Sequence, residues 1–144
     1  MRVSAKAEYA CIAMVHLALH HRDPLPVRIK AIADAHGIPQ RFLVQILLQL
    51  KTAGLVASVR GAAGGYQLAK SPDKISLAEI INAVIDRMSS QRSDPVALPT
   101  SGAVKAVRSI WRQLQEEEQR TLQKLTLSEL SRRAHEKSEL SYQI

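Results

Sequence analysis

The apolar positions along the chain follow a helical rhythm, broken once in the middle by a stretch of alternation, and that break outlines the fold. Residues 5–21 read as a helix that Ser4 can cap, because a serine oxygen just before an apolar run accepts one of the free first-turn amides; Asp23-Pro24 is the stop signal. Tyr9, Ile12, Ala13, Val15, His16, Leu17 and Leu19 leave this helix almost without a polar face. It must be covered on several sides, and part of that cover is expected from a second subunit. Residues 27–36 form a second helix, with Ile29, Ile32 and Ala33 at core spacing and Gly37 as its left-handed cap. Pro39 suits the first turn of a third helix, where an amide would have no partner. Leu43, Ile46, Leu47 and Leu50 then repeat at i, i+3, i+4 and i+7, one buried stripe that Gly54 ends.

Two short strand-like runs follow, 55–59 and 65–69, around the turn Gly61-Ala62-Ala63-Gly64, a β-hairpin with a small-residue tip. Ser76 caps a helix over 77–85. Ser, Pro and Gly gather over 89–102 as a loop. Beyond it Val104, Val107, Trp111, Leu114, Leu122 and Leu125 stand at coiled-coil-like spacing on a long helix, its register interrupted by Glu118 and Thr121. Ser128 is placed to cap a last helix to about residue 137, with a loose tail after it. The class expected is mainly α, with a small β-hairpin and a long C-terminal helix, organised as one unit over 1–88, a loop over 89–103, and the long helix with a C-terminal helix over 104–144.

Composition sharpens this picture. Hydrophobic residues make up 46% of the 144 and aromatics only 3%, so the core is aliphatic and global disorder is excluded. The net charge of +7 is unevenly placed. Residues 1–75 hold ten Lys/Arg and four Asp/Glu (10 − 4 = +6), whereas 76–144 hold ten and nine (10 − 9 = +1). The positive field belongs to the N-terminal half, which points to a polyanion there. Cys11 is the sole cysteine, so neither an intrachain disulfide nor a multi-cysteine metal site can form within one chain. The first residues read neither as a signal nor as a transit peptide, and the longest apolar stretch, 9–19, is too short to span a bilayer. A reducing, cytoplasmic setting with no membrane is expected.

The features that carry function stand in order within the basic half. Ala33 lies where two helices must cross closely, and Gly37 four residues later makes the turn; Ile38, Leu43 and Ile46 complete the packing pattern of a helix-turn-helix. The side of the third helix away from its stripe offers Gln40, Arg41, Val44, Gln45 and Lys51. Gln and Arg can make paired hydrogen bonds to adenine and guanine edges in the major groove. A hairpin directly after that helix is a wing, and Arg60 at its tip suits the electronegative minor groove. Lys6, Arg28 and Lys51 are expected to neutralise phosphate.

The runs EYACIAMVHLAL, IADAHGIPQRFLVQILLQLKTAGLVASVRGAAGGYQLAK and ISLAEIINAVI resemble the Rrf-two (Rrf2) family of bacterial transcription regulators over roughly the first 86 residues. The resemblance implies a winged-helix homodimer, paired through a long C-terminal helix, that binds a partly palindromic operator and usually represses. By that resemblance Lys6 and Tyr9 match positions touching the DNA backbone, Gln40, Arg41 and Gln45 match the recognition helix, and Arg60 matches the wing arginine. Val44 stands where some members have a base-reading Glu, which implies a different operator. Ala62-Ala63 replaces the commoner Pro-Gly at the wing tip. Members that carry an iron–sulfur cluster have two or three cysteines in the loop before the long helix, and residues 92–108 here have none. Glu8 and His36 fall at positions that are non-cysteine ligands in some members, but two such ligands without thiolates do not hold a cluster. No cofactor is expected.

Other constellations read as ordinary structure. His16 and His20, at i and i+4, form a metal-ligand pair without a third ligand, and late-turn histidines also suit a helix C-terminus. Cys11 sits in the most apolar stretch, where a thiol stays protonated and inert, against a redox-switch role. GAAGG lacks the Gly-Lys-Ser/Thr of a phosphate loop. Glu116-Glu117-Glu118 reads as a solvated helix face. No catalytic set appears, so an enzyme is not expected. The alternative class is a winged helix serving as a protein-interaction module, or a regulator that requires a partner protein or an unidentified effector.

Overall fold

A computed structural model of the chain describes residues 3–85 and 98–142. It contains helices α1 (Ala5–Leu19), α2 (Ile29–His36) and α3 (Gln40–Thr52), strands β1 (Val56–Val59) and β2 (Gly65–Leu68), a short 3-10 turn (Pro72–Lys74), then α4 (Leu77–Val84), α5 (Gly102–Lys124) and α6 (Leu127–Tyr142). The boundary expected at residue 88 and most of the loop expected over 89–103 lie outside the described residues.

The caps behave as their chemistry dictates. Ser4 Oγ accepts from the Ala7 amide, Ser76 Oγ from Glu79 and Ser101 Oγ from Val104, each satisfying a first-turn donor. At the last helix the cap is Thr126, not Ser128. Thr126 Oγ1 accepts from the Glu129 amide at 3.2 Å, because it lies one residue before the helix while Ser128 already sits inside the first turn. That helix also runs to Tyr142 rather than to 137. Gly37 turns α2 into α3 at φ 66°, a left-handed conformation that a side chain would strain.

Two boundaries differ from expectation. The apolar pattern starts α2 at Val27, but the Val27 amide donates to the Tyr66 carbonyl at 2.8 Å and its carbonyl accepts from the Tyr66 amide at 2.7 Å. A β-branched residue is held in extended backbone as a third line of the wing, and α2 begins only at Ile29. Pro39 precedes α3 as its extended N-cap residue (ψ 127°) instead of occupying its first turn.

The core gathers on α1. Ala7, Ala10, Ala13, Met14 and Leu17 meet Leu43, Ile46, Leu47 and Leu50 of α3, Ile32 and Ala33 of α2, Leu68 of β2, Ile80 and Val84 of α4, and Leu127 of α6 in one buried cluster. A second subunit is not needed for most of the cover on α1: α2, α3, α4, α6 and β2 of its own chain supply it. The last segment is returned to α1 by a backbone clip: the Leu77 amide donates to the Leu125 carbonyl, and the Leu127 amide to the Ile75 carbonyl, both at 2.8 Å.

The wing is an antiparallel pair with Val56 opposite Leu68 and Val59 opposite Gly65. A Cβ on Gly65 would stand 2.3 Å from the Val27 carbonyl oxygen, so the bridge between the wing and α2 demands glycine. We expect Gly65→Ala to lower stability by about 1–3 kcal/mol in urea unfolding. Gly102→Ala, where a Cβ meets nothing within 4 Å, should leave it nearly unchanged.

Candidate nucleic-acid interface

Helix α3 divides cleanly into two faces. Leu43, Ile46, Leu47 and Leu50 are buried, while Gln40, Arg41, Val44, Gln45, Leu48 and Lys51 are exposed. The stripe that fixes the helix against α1 therefore also fixes which side chains it offers outward, since opposite faces of a helix are set by one 3.6-residue period.

A groove lies along each flank of α3. One, of about 440 Å³, is lined by Ala5, Lys6, Tyr9, Phe42, Gln45 and Ile46. It brings Lys6 and Tyr9 of α1 beside Gln45, and the Tyr9 and Phe42 rings stand 6.5 Å apart on its wall. The other, of about 410 Å³, runs between the start of α3 and the wing, with Gln40 and Arg28 on its edges and Tyr66 and Gly65 on its wall. Arg28 is engaged there: its guanidinium donates to the Ala62 carbonyl, so it steadies the wing tip as well as presenting charge. Arg60 is exposed where β1 runs into that tip, and Lys51 is exposed in the last turn of α3. Sequence reasoning missed Phe42 and Leu48. Phe42 is 43% exposed and lies under the Arg41 guanidinium, 4.9 Å from Cζ to the ring centroid, and Leu48 is 56% exposed on the outward face.

The residues expected to pair two subunits separate into two groups. Val107, Trp111 and Leu114 are exposed on α5 and Val104 is half-buried; Ile110, which the spacing does not single out, is exposed beside them. Leu122 is buried at 7% exposure and Leu125 half-buried, because the last turn of α5 docks on its own chain. Leu122 is thus largely withdrawn from any outward stripe.

The histidines cluster more closely than their spacing shows. His16 Nδ1 lies 2.8 Å from His36 Nε2, joining α1 to α2, while His20 Nδ1 lies 2.8 Å from Asp23 Oδ2. Partial burial first, then the neighbouring His20 and His36, push His16 down to about 4, so its ring is neutral at pH 7. Among the described residues no three His, Cys, Asp or Glu groups stand together so as to hold a metal ion. Cys11 is half-buried in α1, and burial, then the Glu8 carboxylate, push its thiol up to about 11. A thiol so placed is protonated and a poor nucleophile or ligand.

A helix-turn-helix with a hairpin wing, its second helix polar outward and its strand pair tied back to α2, defines a winged-helix DNA-binding protein. Comparison with known proteins agrees. The family model described as "Iron-dependent Transcriptional regulator", Rrf2, matches residues 3–133. The chain belongs to the Rrf2 family of DNA-binding transcription regulators. It is 40% identical to the Mycobacterium tuberculosis HTH-type transcriptional regulator Rv1287, over 91% of this chain and 81% of that one. Among solved structures it resembles IscR of T. potens (TM-score 0.76, 32% identity, 93% of this chain and 88% of that one). It also resembles CymR, the global cysteine regulator of B. subtilis (TM-score 0.75, 30% identity, 91% and 96%). These relatives are regulators and not enzymes. Among the described residues no helix is long and apolar enough to cross a membrane.

The family description implies iron, and this chain's donors do not suit an iron–sulfur cluster. Such clusters are held chiefly by thiolates. The only thiol here lies within α1 with its proton firmly held, and of the two non-cysteine candidates, Glu8 and His36, the histidine is already engaged by His16.

The neutral His16 has a thermodynamic consequence. Its folded value lies below the ordinary 6.5, so between about pH 6.5 and 4 the unfolded chain binds more protons, and stability falls as pH drops through that window. The urea midpoint should decline from about pH 7.5 to about pH 4.5. In His16→Gln, which keeps a polar group without the titration, the decline should be visibly shallower.

Proposed function

We propose that the chain is a homodimeric repressor that reads a partly palindromic operator without an iron–sulfur cluster. Residues 1–88 form the reading unit, and within residues 104–144 the pairing surface lies on α5, while α6 returns to the core around α1. The observation that carries the DNA half is the outward face of α3, where Arg41 and Gln45 stand exposed opposite the buried stripe and Gln40 is exposed on the flank toward the wing. Arg41 and Gln45 supply paired hydrogen bonds to base edges in the major groove, and Arg60 enters the adjoining minor groove from the wing. Lys6, Tyr9, Arg28 and Lys51 flank that face and hold the phosphate backbone. Repression itself follows the family resemblance.

Pairing is supported by α5. Val107, Ile110, Trp111 and Leu114 lie along one side of a helix whose only buried residue is Leu122. Fully burying a large apolar side chain is worth about 1.5–3 kcal/mol, so four of them in water are a strong drive to association. A second copy offers the same stripe, and a two-fold pair places the two recognition helices on half-sites about 10–10.5 base pairs apart or a multiple of that.

Selection of duplexes from a random library at about 150 mM salt should return one partly palindromic motif. On that motif Arg41→Ala and Gln45→Ala should each cost about 1–3 kcal/mol and relax specificity at one position, while Lys51→Ala should weaken all duplexes alike and lower the salt slope by about one. Equal losses on operator and random DNA for Arg41→Ala and Gln45→Ala would remove the reading role from α3. Trp111→Glu should weaken the dimer by about 2 kcal/mol or more in sedimentation. An unchanged dimer would place the pairing surface elsewhere.

A further inference from the structure

The reading face of α3 is not wholly polar. Val44 is 50% exposed and Leu48 56%, the two stand at i and i+4, and they interleave with Arg41 and Gln45. They contribute little to folding, because the core face of the same helix is already filled by Leu43, Ile46, Leu47 and Leu50. The neighbouring Phe42 is occupied with Tyr9 and Arg41. Val44 and Leu48 thus form an apolar strip set among hydrogen-bonding side chains.

The major groove presents one apolar group, the C5-methyl of thymine. A helix rises about 1.5 Å per residue, so four residues advance about 6 Å. Successive bases on one DNA strand lie about 3.4 Å apart, so two steps cover about 6.8 Å. A helix lying along the groove therefore holds Val44 and Leu48 over bases about two steps apart. Polar side chains on both sides of the strip favour this occupant over an apolar protein face, which would leave Arg41 and Gln45 desolvated without partners. The excess of base over acid in residues 1–75 favours a polyanion at the same place.

We propose that Val44 and Leu48 read thymine methyl groups, so that each half-site carries thymines interleaved with the bases that Arg41 and Gln45 hydrogen-bond. The inference rests on the DNA-reading role of α3 and adds the base class that its apolar residues select.

The test uses the full chain and the duplex selected from the random library. Each thymine in the motif is replaced in turn by deoxyuridine, which removes the methyl and keeps every hydrogen-bonding group. Wild-type protein should lose about four- to tenfold in affinity at one or two thymines per half-site. In Val44→Ala the penalty at one of these should shrink to within about twofold, and Leu48→Ala should do the same at the other. Both side chains are exposed and alanine favours helix, so the variants should fold, which circular dichroism and the thermal midpoint check directly. Deoxyuridine tolerated within about twofold at every position, or penalties unchanged in both variants, would overturn the methyl reading and leave the DNA-reading role intact. A library that yields no motif at all would overturn both.

Discussion

The structure depends on the wrapping of α1. A fifteen-residue helix with apolar residues on nearly every side must be covered, and here five other elements of the same chain bury Ala7, Ala10, Ala13, Met14 and Leu17 and leave Ile12 and Val15 half-buried. That constraint orders everything else. The α3 stripe must lie on α1, so the opposite face of α3 must look outward. Strand β2 must reach α1 through Leu68, which places the wing beside α2, where Val27 and Tyr66 exchange two backbone hydrogen bonds. The chain must also come back after α5, and the clip between residues 75–77 and 125–127 returns Leu127 to the same core. The face proposed to meet DNA is thus the outside of a packing problem solved on the inside.

Charge then separates two roles that packing leaves equivalent. The N-terminal half carries the excess of base over acid, with Arg41 and Lys51 exposed on α3, Arg60 exposed at the wing, Arg28 exposed just before α2, and Lys6 half-buried on the edge of α1. The C-terminal half is nearly balanced, and its long helix offers apolar side chains instead. One part of the molecule is suited to a polyanion, and the other carries the strip proposed to pair with a second copy. A neutral His16 and a protonated Cys11 sit between α1 and its neighbours as structural groups; the iron chemistry that the family description names has no thiolate to use here.

Much of this fold is legible in the amino-acid pattern alone. The period-3.6 stripe locates α3 and the coiled-coil-like spacing locates α5, while Ser4 and Ser76 cap α1 and α4 as their positions predict, because these signals are local. Gln40, Arg41 and Gln45 can be found because a helix with one buried stripe has only one other face. The discrepancies are of two kinds. Val27, Pro39 and Ser128 shift the helix starts by one to two residues, where a tertiary hydrogen bond or a competing threonine decides the boundary. Leu122 groups with Trp111 by spacing, which cannot tell a residue that docks on its own chain from one that faces out. The contact between His16 and His36, twenty residues apart, leaves no mark in either local pattern. Leu48 escapes notice because a leucine at helical spacing reads as core by default.

Among the described residues, helices α3 and α5 each expose an apolar surface, and their neighbours tell the two apart. On α5, Val107, Ile110, Trp111 and Leu114 adjoin one another along one side of the helix, a continuous strip that excludes water only when a matching strip lies against it. On α3, Val44 and Leu48 alternate with an arginine and a glutamine, whose hydrogen-bonding capacity would be wasted against another hydrophobic face. A surface of the first kind is stabilised when protein buries it. One of the second kind matches a partner that itself alternates methyl groups with hydrogen-bonding edges, and the major groove of a mixed sequence is such a partner. The same residue types, leucine and valine on a helix, thus carry opposite meanings according to what separates them.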